Sequence, residues 1–288
     1  YYAVFHAISA FCNAGFDLMG RYEPFSSLTG YASDVLVNVT IMLLIIIGGI
    51  GFLVWDDILK YRLSFKNYSL HSKIILVTTP VLLVGGAIGY FVFEQNYTLQ
   101  GNGIGEQILK SFFASTTMRT AGFNTIDYAS MSPSASLLSD VLMMIGGSPG
   151  STAGGMKITT ITLVFLSMVS MLRGQSDTVI VKRRVSTILI KQAAVIILVY
   201  AVYILAGTML ICHIEGLPMS NVLFEVISAV CTVGVTTGIT PHLCALSHII
   251  LIVLMYGGRI GGFTLMLILG KQNKQPPLRR PKENILIG

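Results

Sequence analysis

"ISAFCNAGFD", residues 8–17, returns as "STTMRTAGFN", residues 115–124, and again as "ISAVCTVGVT", residues 227–236. Aligned on Gly15, Gly122 and Gly234, each copy has a hydroxyl residue six positions earlier (Ser9, Thr116, Ser228) and Ala or Val just before the glycine. The glycines lie 107 and 112 residues apart, so the match belongs to a long structural repeat. Downstream, a glycine pair recurs in each copy: Gly48 with Gly49, Gly146 with Gly147, and Gly257 with Gly258. The unit reads as a spanning helix, a short half-helix, a glycine loop and a second spanning helix. The first copy starts at its half-helix, and the chain is expected to be part of a longer protein.

Composition says where such a repeat resides. The 288 residues are 53% hydrophobic and 11% charged, with mean hydropathy +0.74, which excludes an ordinary soluble domain and implies an all-α polytopic membrane protein. A span needs about 20 mostly apolar residues. Residues 35–54, 74–93, 188–211 and 243–269 supply four, and an interrupted stretch over 136–172 supplies a fifth. The half-helices, expected over residues 3–12, 107–118 and 221–230, are about 15 Å long and too short for a hydrocarbon core of about 30 Å. They are therefore re-entrant. Irregular backbone at membrane depth is tolerated where it is buried in protein or lines water, so three such loops in register point to one aqueous path. Glycine also lets membrane helices approach closely, which is the simpler reading of any one loop taken alone.

Glycine at a loop apex allows consecutive carbonyl oxygens to face one axis, and rings of carbonyls can replace the hydration shell of an alkali cation. The C-terminal, partly negative end of each half-helix points the same way.

The basic residues set the orientation. Residues 55–73, 173–191 and 271–288 hold 14 of the 19 Lys and Arg but four of the 13 acids, so by the positive-inside rule they are cytoplasmic. The pI of about 9.1 follows from this topology and does not signal nucleic-acid binding. Cys12, Cys212, Cys231 and Cys244 have no C-x-x-C spacing, and His242 and His248 are six apart, so neither set suggests a metal site. "GSTAGGMK" places Met156 between glycine and lysine and fails the phosphate-loop pattern. No paired carboxylates or nucleophile with its base appear at one depth, so an enzyme is not expected. A cation-coupled secondary transporter with broken helices is the nearest alternative, but such proteins show inverted repeats, whereas these run in one direction.

Together, "AFCNAGFD", "TTMRTAGFNT", "AVCTVGVTTGIT", "GGSPGSTAGGMK" and "YGGRIGGF" resemble the Trk/Ktr/HKT superfamily of potassium transporters, most closely the ion-translocating subunit of bacterial Ktr systems. The resemblance implies four helix, pore loop, helix repeats around a pseudo-fourfold pore. It implies filter segments at Asn13, Ala14, Gly15 and Phe16, at Thr120, Ala121, Gly122 and Phe123, and at Thr232, Val233, Gly234 and Val235. Residues 1–60 then form part of the second repeat, 61–174 the third, 175–270 the fourth and 271–288 a cytoplasmic tail. The implied function is potassium uptake across the cell membrane, and the resemblance admits sodium as an activating ion. The implied partners are a second pore subunit and a cytoplasmic RCK-type regulatory ring binding ATP, ADP or NAD. No cofactor is expected on this chain itself.

The Gly-Gly element is expected to be a hinge in all three copies, enlarged in one into the loop "GGSPGSTAGGMK", residues 146–157. Its members Gly146, Gly147, Ser148, Pro149, Gly150, Ser151, Thr152, Ala153, Gly154, Gly155 and Lys157 read as a mobile constriction below the filter. Intramembrane cations are costly and face a cavity or a partner. By the resemblance Arg259 holds this loop. Lys157 is expected to snorkel toward the cytoplasm, Arg119 to pair with a nearby acid or carbonyl, and Glu225 to lie near the start of the last half-helix.

Overall fold

The structure, a computed structural model, describes residues 1–21, 25–62, 64–175 and 177–260. Its order is α1 (Tyr2–Phe11), α2 (Val35–Ile50), α3 (Phe52–Tyr61), α4 (Leu70–Phe93), α5 (Ile104–Thr117), α6 (Pro133–Met144), α7 (Ile158–Leu172), β1 (Val179–Ile180), β2 (Arg183–Arg184), α8 (Thr187–Glu215), α9 (Met219–Val230) and α10 (Ala245–Ile260). The strands form a small antiparallel hairpin, and everything that positions the glycine loops is helical.

Among the described residues two helices, α4 and α8, are long and apolar enough to cross a membrane unaided. Their outward stripes are apolar: Val77, Val81, Val84, Ile88 and Val92 of α4 recur at helical spacing and are exposed, whereas Ser72, Thr79 and Tyr90 of the same helix are buried. Polar side chains inside and aliphatic ones outside suit a lipid solvent. Local signals fix the ends. Asp34 accepts from the Val37 amide at the start of α2, Ser69 from Ser72 at the start of α4, and Ser132 from Ala135 at the start of α6, where Pro133 opens the helix. Gly216 ends α8 in the left-handed conformation.

The expected span over 35–54 is not one helix. The chain breaks at Gly51 (φ +95°), and α3 leaves α2 at 92°. A side chain is excluded at Gly51, because a Cβ there would lie 2.4 Å from Ser148 Oγ and 2.9 Å from the Pro149 oxygen. The Trp55 indole donates back to the Ile47 carbonyl at 3.1 Å and secures the corner. The expected stretch 136–172 is likewise two helices, α6 and α7, on either side of the glycine-rich loop. Part of the expected span over 243–269, together with the tail 271–288, lies outside the described residues.

The short helices run 10, 14 and 12 residues, with α5 starting three residues earlier and running two longer than the sequence suggests, and at most about 21 Å they remain too short to cross. Each packs against longer helices: α1 against α2, α5 against α4, and α9 between α8 and α10. The main core joins the last two copies through Tyr90, Met118, Tyr128, Phe224 and Val226. A second cluster, with Ala10, Ile41, Phe113, Ala121 and Phe123, joins the first two.

The glycine pairs act differently from one another. Gly48 lies in the last turn of α2, three residues before the bend at Gly51, and Gly258 lies in the last described turn of α10. A Cβ on Gly48 would lie 1.9 Å from the Phe11 oxygen, and one on Gly258 1.8 Å from the Val230 oxygen, the last residues of α1 and α9. These glycines let a long helix touch the end of a short one. Only Gly146 and Gly147 open into a loop.

Candidate functional site: three glycine loops above an intramembrane loop

The three apex glycines meet. A Cβ on Gly15 would lie 2.8 Å from Gly122 Cα and 2.4 Å from the Ala121 oxygen, and one on Gly122 would lie 3.1 Å from Gly15 Cα and 2.6 Å from the Val233 oxygen. Gly234 adjoins them, 4.0 Å from Gly122 Cα by the same measure. All three have positive φ (69°, 89° and 90°). So do Asn13, Thr120 and Thr232, two residues earlier (49°, 68° and 54°), where a non-glycine residue is strained. Neighbouring peptides of alternating handedness turn their like groups to one side of the chain.

Hydroxyls from the short helices hold these conformations. Ser9 Oγ donates to the Phe16 oxygen at 2.8 Å and Ser228 Oγ to the Val235 oxygen at 2.6 Å. In the middle copy the donor is Thr117, to the Phe123 oxygen at 2.7 Å, and not the expected Thr116, which bonds to Phe112 within its own helix. The reason is one extra residue. Helix α5 ends five positions before its glycine, while α1 and α9 end four before theirs. Of the remaining members, Ala14 bridges Asn13 and Gly15, Phe123 is fully buried, and Phe16 is 70% exposed.

Residues 146–157 lie directly against the undersides of these loops. Thr152 Oγ1 donates to the Phe11 oxygen (3.1 Å) and to Asn13 Oδ1 (3.0 Å), and the Gly154 amide donates to Thr120 Oγ1 (3.1 Å). A Cβ on Gly154 would lie 1.8 Å from Thr232 Oγ1. One loop thus touches all three copies at the residue two before the glycine. It also caps the broken end of α2, whose last carbonyls have no helical partner. The amides of Ser148 and Thr152 donate to Gly49 (3.1 Å) and Gly48 (3.4 Å), the Ser148 hydroxyl to Ile50, and the Phe52 amide returns to Gly150 (3.0 Å). Within the loop, Ser151 Oγ donates to the Ser148 oxygen at 2.6 Å. The Gly146 amide pairs with Met156 and the Ile158 amide with Gly147, closing the loop's base.

Arg259 Nη1 donates to the Thr152 oxygen at 3.2 Å. Lys157 Nζ donates to the Ala153 oxygen of its own loop at 2.6 Å. Both cations line a cavity of about 620 Å³ beneath the loop, with Thr160, Gln192 and Tyr200. The expected partner of Arg119 is not found at its Nε, which is buried without a hydrogen bond; the residue lines a narrow space together with Asn13, Gly49 and Gly147. Glu225, expected near the start of its half-helix, lies in the middle of α9, which begins at Met219, two residues earlier than expected. Among the described residues no group of three His, Cys, Asp or Glu is placed to hold a metal ion.

The fold and these loops define a class: an all-helical polytopic membrane protein built of repeated units of short helix, glycine loop and long helix. Residues 1–278 match the family described as TrkH, cation transport protein, and the chain belongs to that family. It is 38% identical over 295 residues to the potassium/sodium uptake protein NtpJ of Enterococcus hirae, covering 100% of this chain and 64% of that protein. It is 36% identical to the Ktr system potassium uptake protein B of Bacillus subtilis, covering 99% of this chain and 63% of that protein. The chain therefore spans somewhat under two thirds of these relatives. The crystal structure of the potassium transporter TrkH from Vibrio parahaemolyticus superposes with a TM-score of 0.74 at 18% identity, over 93% of this chain and 58% of that one. These relatives are named as ion transporters and not as enzymes.

Proposed function

We propose that this chain forms most of the pore of a potassium uptake subunit in the cell membrane. Ions pass a carbonyl filter built from residues 13–16, 120–123 and 232–235, and residues 146–157 form the gate beneath it. The observation that carries this reading is the meeting of Gly15, Gly122 and Gly234, all with positive φ and each followed by a carbonyl fixed by a buried hydroxyl. Resemblance to a four-repeat family assigns the remaining side of the ring to a further repeat. The names of the Enterococcus and Bacillus relatives support potassium as cargo and leave sodium as a second ion or an activator.

The gate reading is supported by the contacts of residues 146–157 with all three glycine loops from one side. Opening requires residues 146–157 to leave Asn13, Thr120 and Thr232, and release of Arg259 from the Thr152 oxygen favours that step. The basic cytoplasmic segments are the surface for a regulatory ring that binds ATP, ADP or NAD, and the functional assembly is a dimer of pore subunits.

Rescue of potassium-limited growth by the full-length protein, compared with Gly122→Ser and Gly234→Ser, tests the filter. Both substitutions place a side chain at a positive-φ apex and are expected to lower potassium affinity and selectivity. Unchanged affinity and selectivity in both would refute the assignment.

A further inference from the structure

We propose that His6 and Glu225 are positioning residues that hold the outer ends of two filter loops, and that cation discrimination depends on the acceptor atom each supplies. The inference rests on the filter reading above. Both residues stand nine positions before their apex glycine, and both accept a hydrogen bond from the backbone amide three positions after it. His6 Nε2 receives the Leu18 amide at 3.3 Å, and Glu225 Oε1 receives the Thr237 amide at 3.0 Å. Each is 6% exposed, so the bond is made away from water.

The chemistry of each acceptor is fixed by its other contacts. His6 Nδ1 lies 2.8 Å from the Tyr2 carbonyl oxygen, which only accepts, so Nδ1 carries the hydrogen and Nε2 presents its lone pair to Leu18. Glu225 Oε1 also receives the Thr236 hydroxyl, and Oε2 receives the Thr240 hydroxyl at 2.9 Å. Its neighbours are all donors, which an acceptor-only carboxylate satisfies. Histidine and glutamate differ in shape and charge and share only an acceptor at this place. Packing alone would not select that pair.

The middle copy supports the rule by its exception. Nine before Gly122 stands Phe113, with no polar atom to offer. There the outer end is held from the adjoining repeat instead. Ser27 Oγ accepts the Asn124 amide at 3.1 Å, and the Leu28 amide donates to the Asn124 oxygen at 2.9 Å. Every filter loop is therefore fastened twice, by a hydroxyl just past the glycine and by a second hold farther out. A strained loop keeps its oxygens at a selective spacing only if both ends are fixed.

The test uses the full-length protein in potassium-uptake-deficient cells, measuring potassium uptake against graded sodium and the amount of protein in the membrane. His6→Gln places an oxygen where Nε2 was, and Glu225→Gln keeps an acceptor toward Thr237. His6→Phe and Glu225→Leu remove the acceptor at similar volume. The Phe and Leu variants are expected to lose about tenfold in potassium over sodium discrimination, and the Gln variants to stay within about twofold of the parent. His6→Asn, which cannot reach Leu18, and Thr240→Val, which removes one donor from Glu225, are milder probes expected to fall between. Parental discrimination in the Phe and Leu variants, or in the milder pair where the apolar ones do not reach the membrane, overturns the proposal. So do Gln variants as impaired as Phe and Leu. If Gly122→Ser also leaves discrimination unchanged, the filter reading itself has failed; if Gly122→Ser abolishes it and His6→Phe does not, only the outer hold has failed.

Discussion

Gly258→Ala tests whether the glycine pair of the last repeat serves close packing. The added Cβ would lie 1.8 Å from the Val230 oxygen, 2.7 Å from its carbon and 3.2 Å from its Cα. All three are backbone atoms at the end of α9, so no side chain can swing aside. Bringing the oxygen to 3.0 Å, the shortest separation real Cβ atoms tolerate, requires α10 and α9 to part by about 1.2 Å. Overpacking of this kind costs about 1–3 kcal/mol, and the better helix propensity of alanine returns about 1 kcal/mol at most. The neighbouring Gly257 is the internal control. A Cβ there meets the Tyr203 ring edge at 3.2 Å, and that side chain is able to yield. Gly257→Ala is expected to be neutral or to stabilise by up to about 1 kcal/mol through helix propensity. Thermal unfolding of the purified full-length protein in detergent reads the stability, and potassium over sodium uptake reads the filter, since Val230 is four residues from Gly234. Gly258→Ala should lower both and Gly257→Ala neither. Equal effects of the two substitutions, or none from Gly258→Ala, would refute the packing argument.

Arg259→Ala removes the bond to the Thr152 oxygen and is expected to raise ion flux; unchanged or reduced flux at normal expression counts against the gate reading. Gly154→Ala drives a Cβ into Thr232 Oγ1 and should likewise displace the loop and raise flux, and a tighter pore would contradict this. Thr117→Val, which frees the Phe123 carbonyl, should cost about 1 kcal/mol and impair selectivity, whereas Thr116→Val should be nearly silent. The reverse order would show that sequence alignment locates the middle hydroxyl better than the hydrogen bonds do.

Much of the architecture was legible because membrane burial leaves coarse marks. Twenty-residue apolar runs, half-length helices and apex glycines at nearly equal spacing depend only on local composition and on the bilayer's thickness. The partner of Arg259 came from the family resemblance; the cost of a cation at membrane depth asks for a partner without saying which. The pair His6 and Glu225 was visible in principle, since both stand nine before their glycines. Spacing alone does not pair them, because histidine and glutamate look unrelated until the Leu18 and Thr237 amides that they accept are located in space. Other features gave no local signal. The corner at Gly51 admits only glycine because Ser148 and Pro149, about a hundred residues away, occupy the place of a side chain. The register of the glycine pairs was also hidden: the packing glycine is the first of the pair at Gly48 and the second at Gly258, because the contact is set by where Phe11 and Val230 end their helices.

The sequence by itself determined an all-helical membrane protein of parallel repeats, three glycine loops at the ends of short helices, and an enlarged loop in one repeat. These are consequences of hydrophobic length, glycine placement and periodicity along one chain. Only the tertiary structure decided that the loop of residues 146–157 is a bonded element rather than a loose hinge. Its donors satisfy carbonyls that the bend at Gly51 strips from α2, and its glycine at 154 fits under Thr232. Such pairing between distant orphaned backbone groups is set by geometry in space, and no spacing along the chain encodes it.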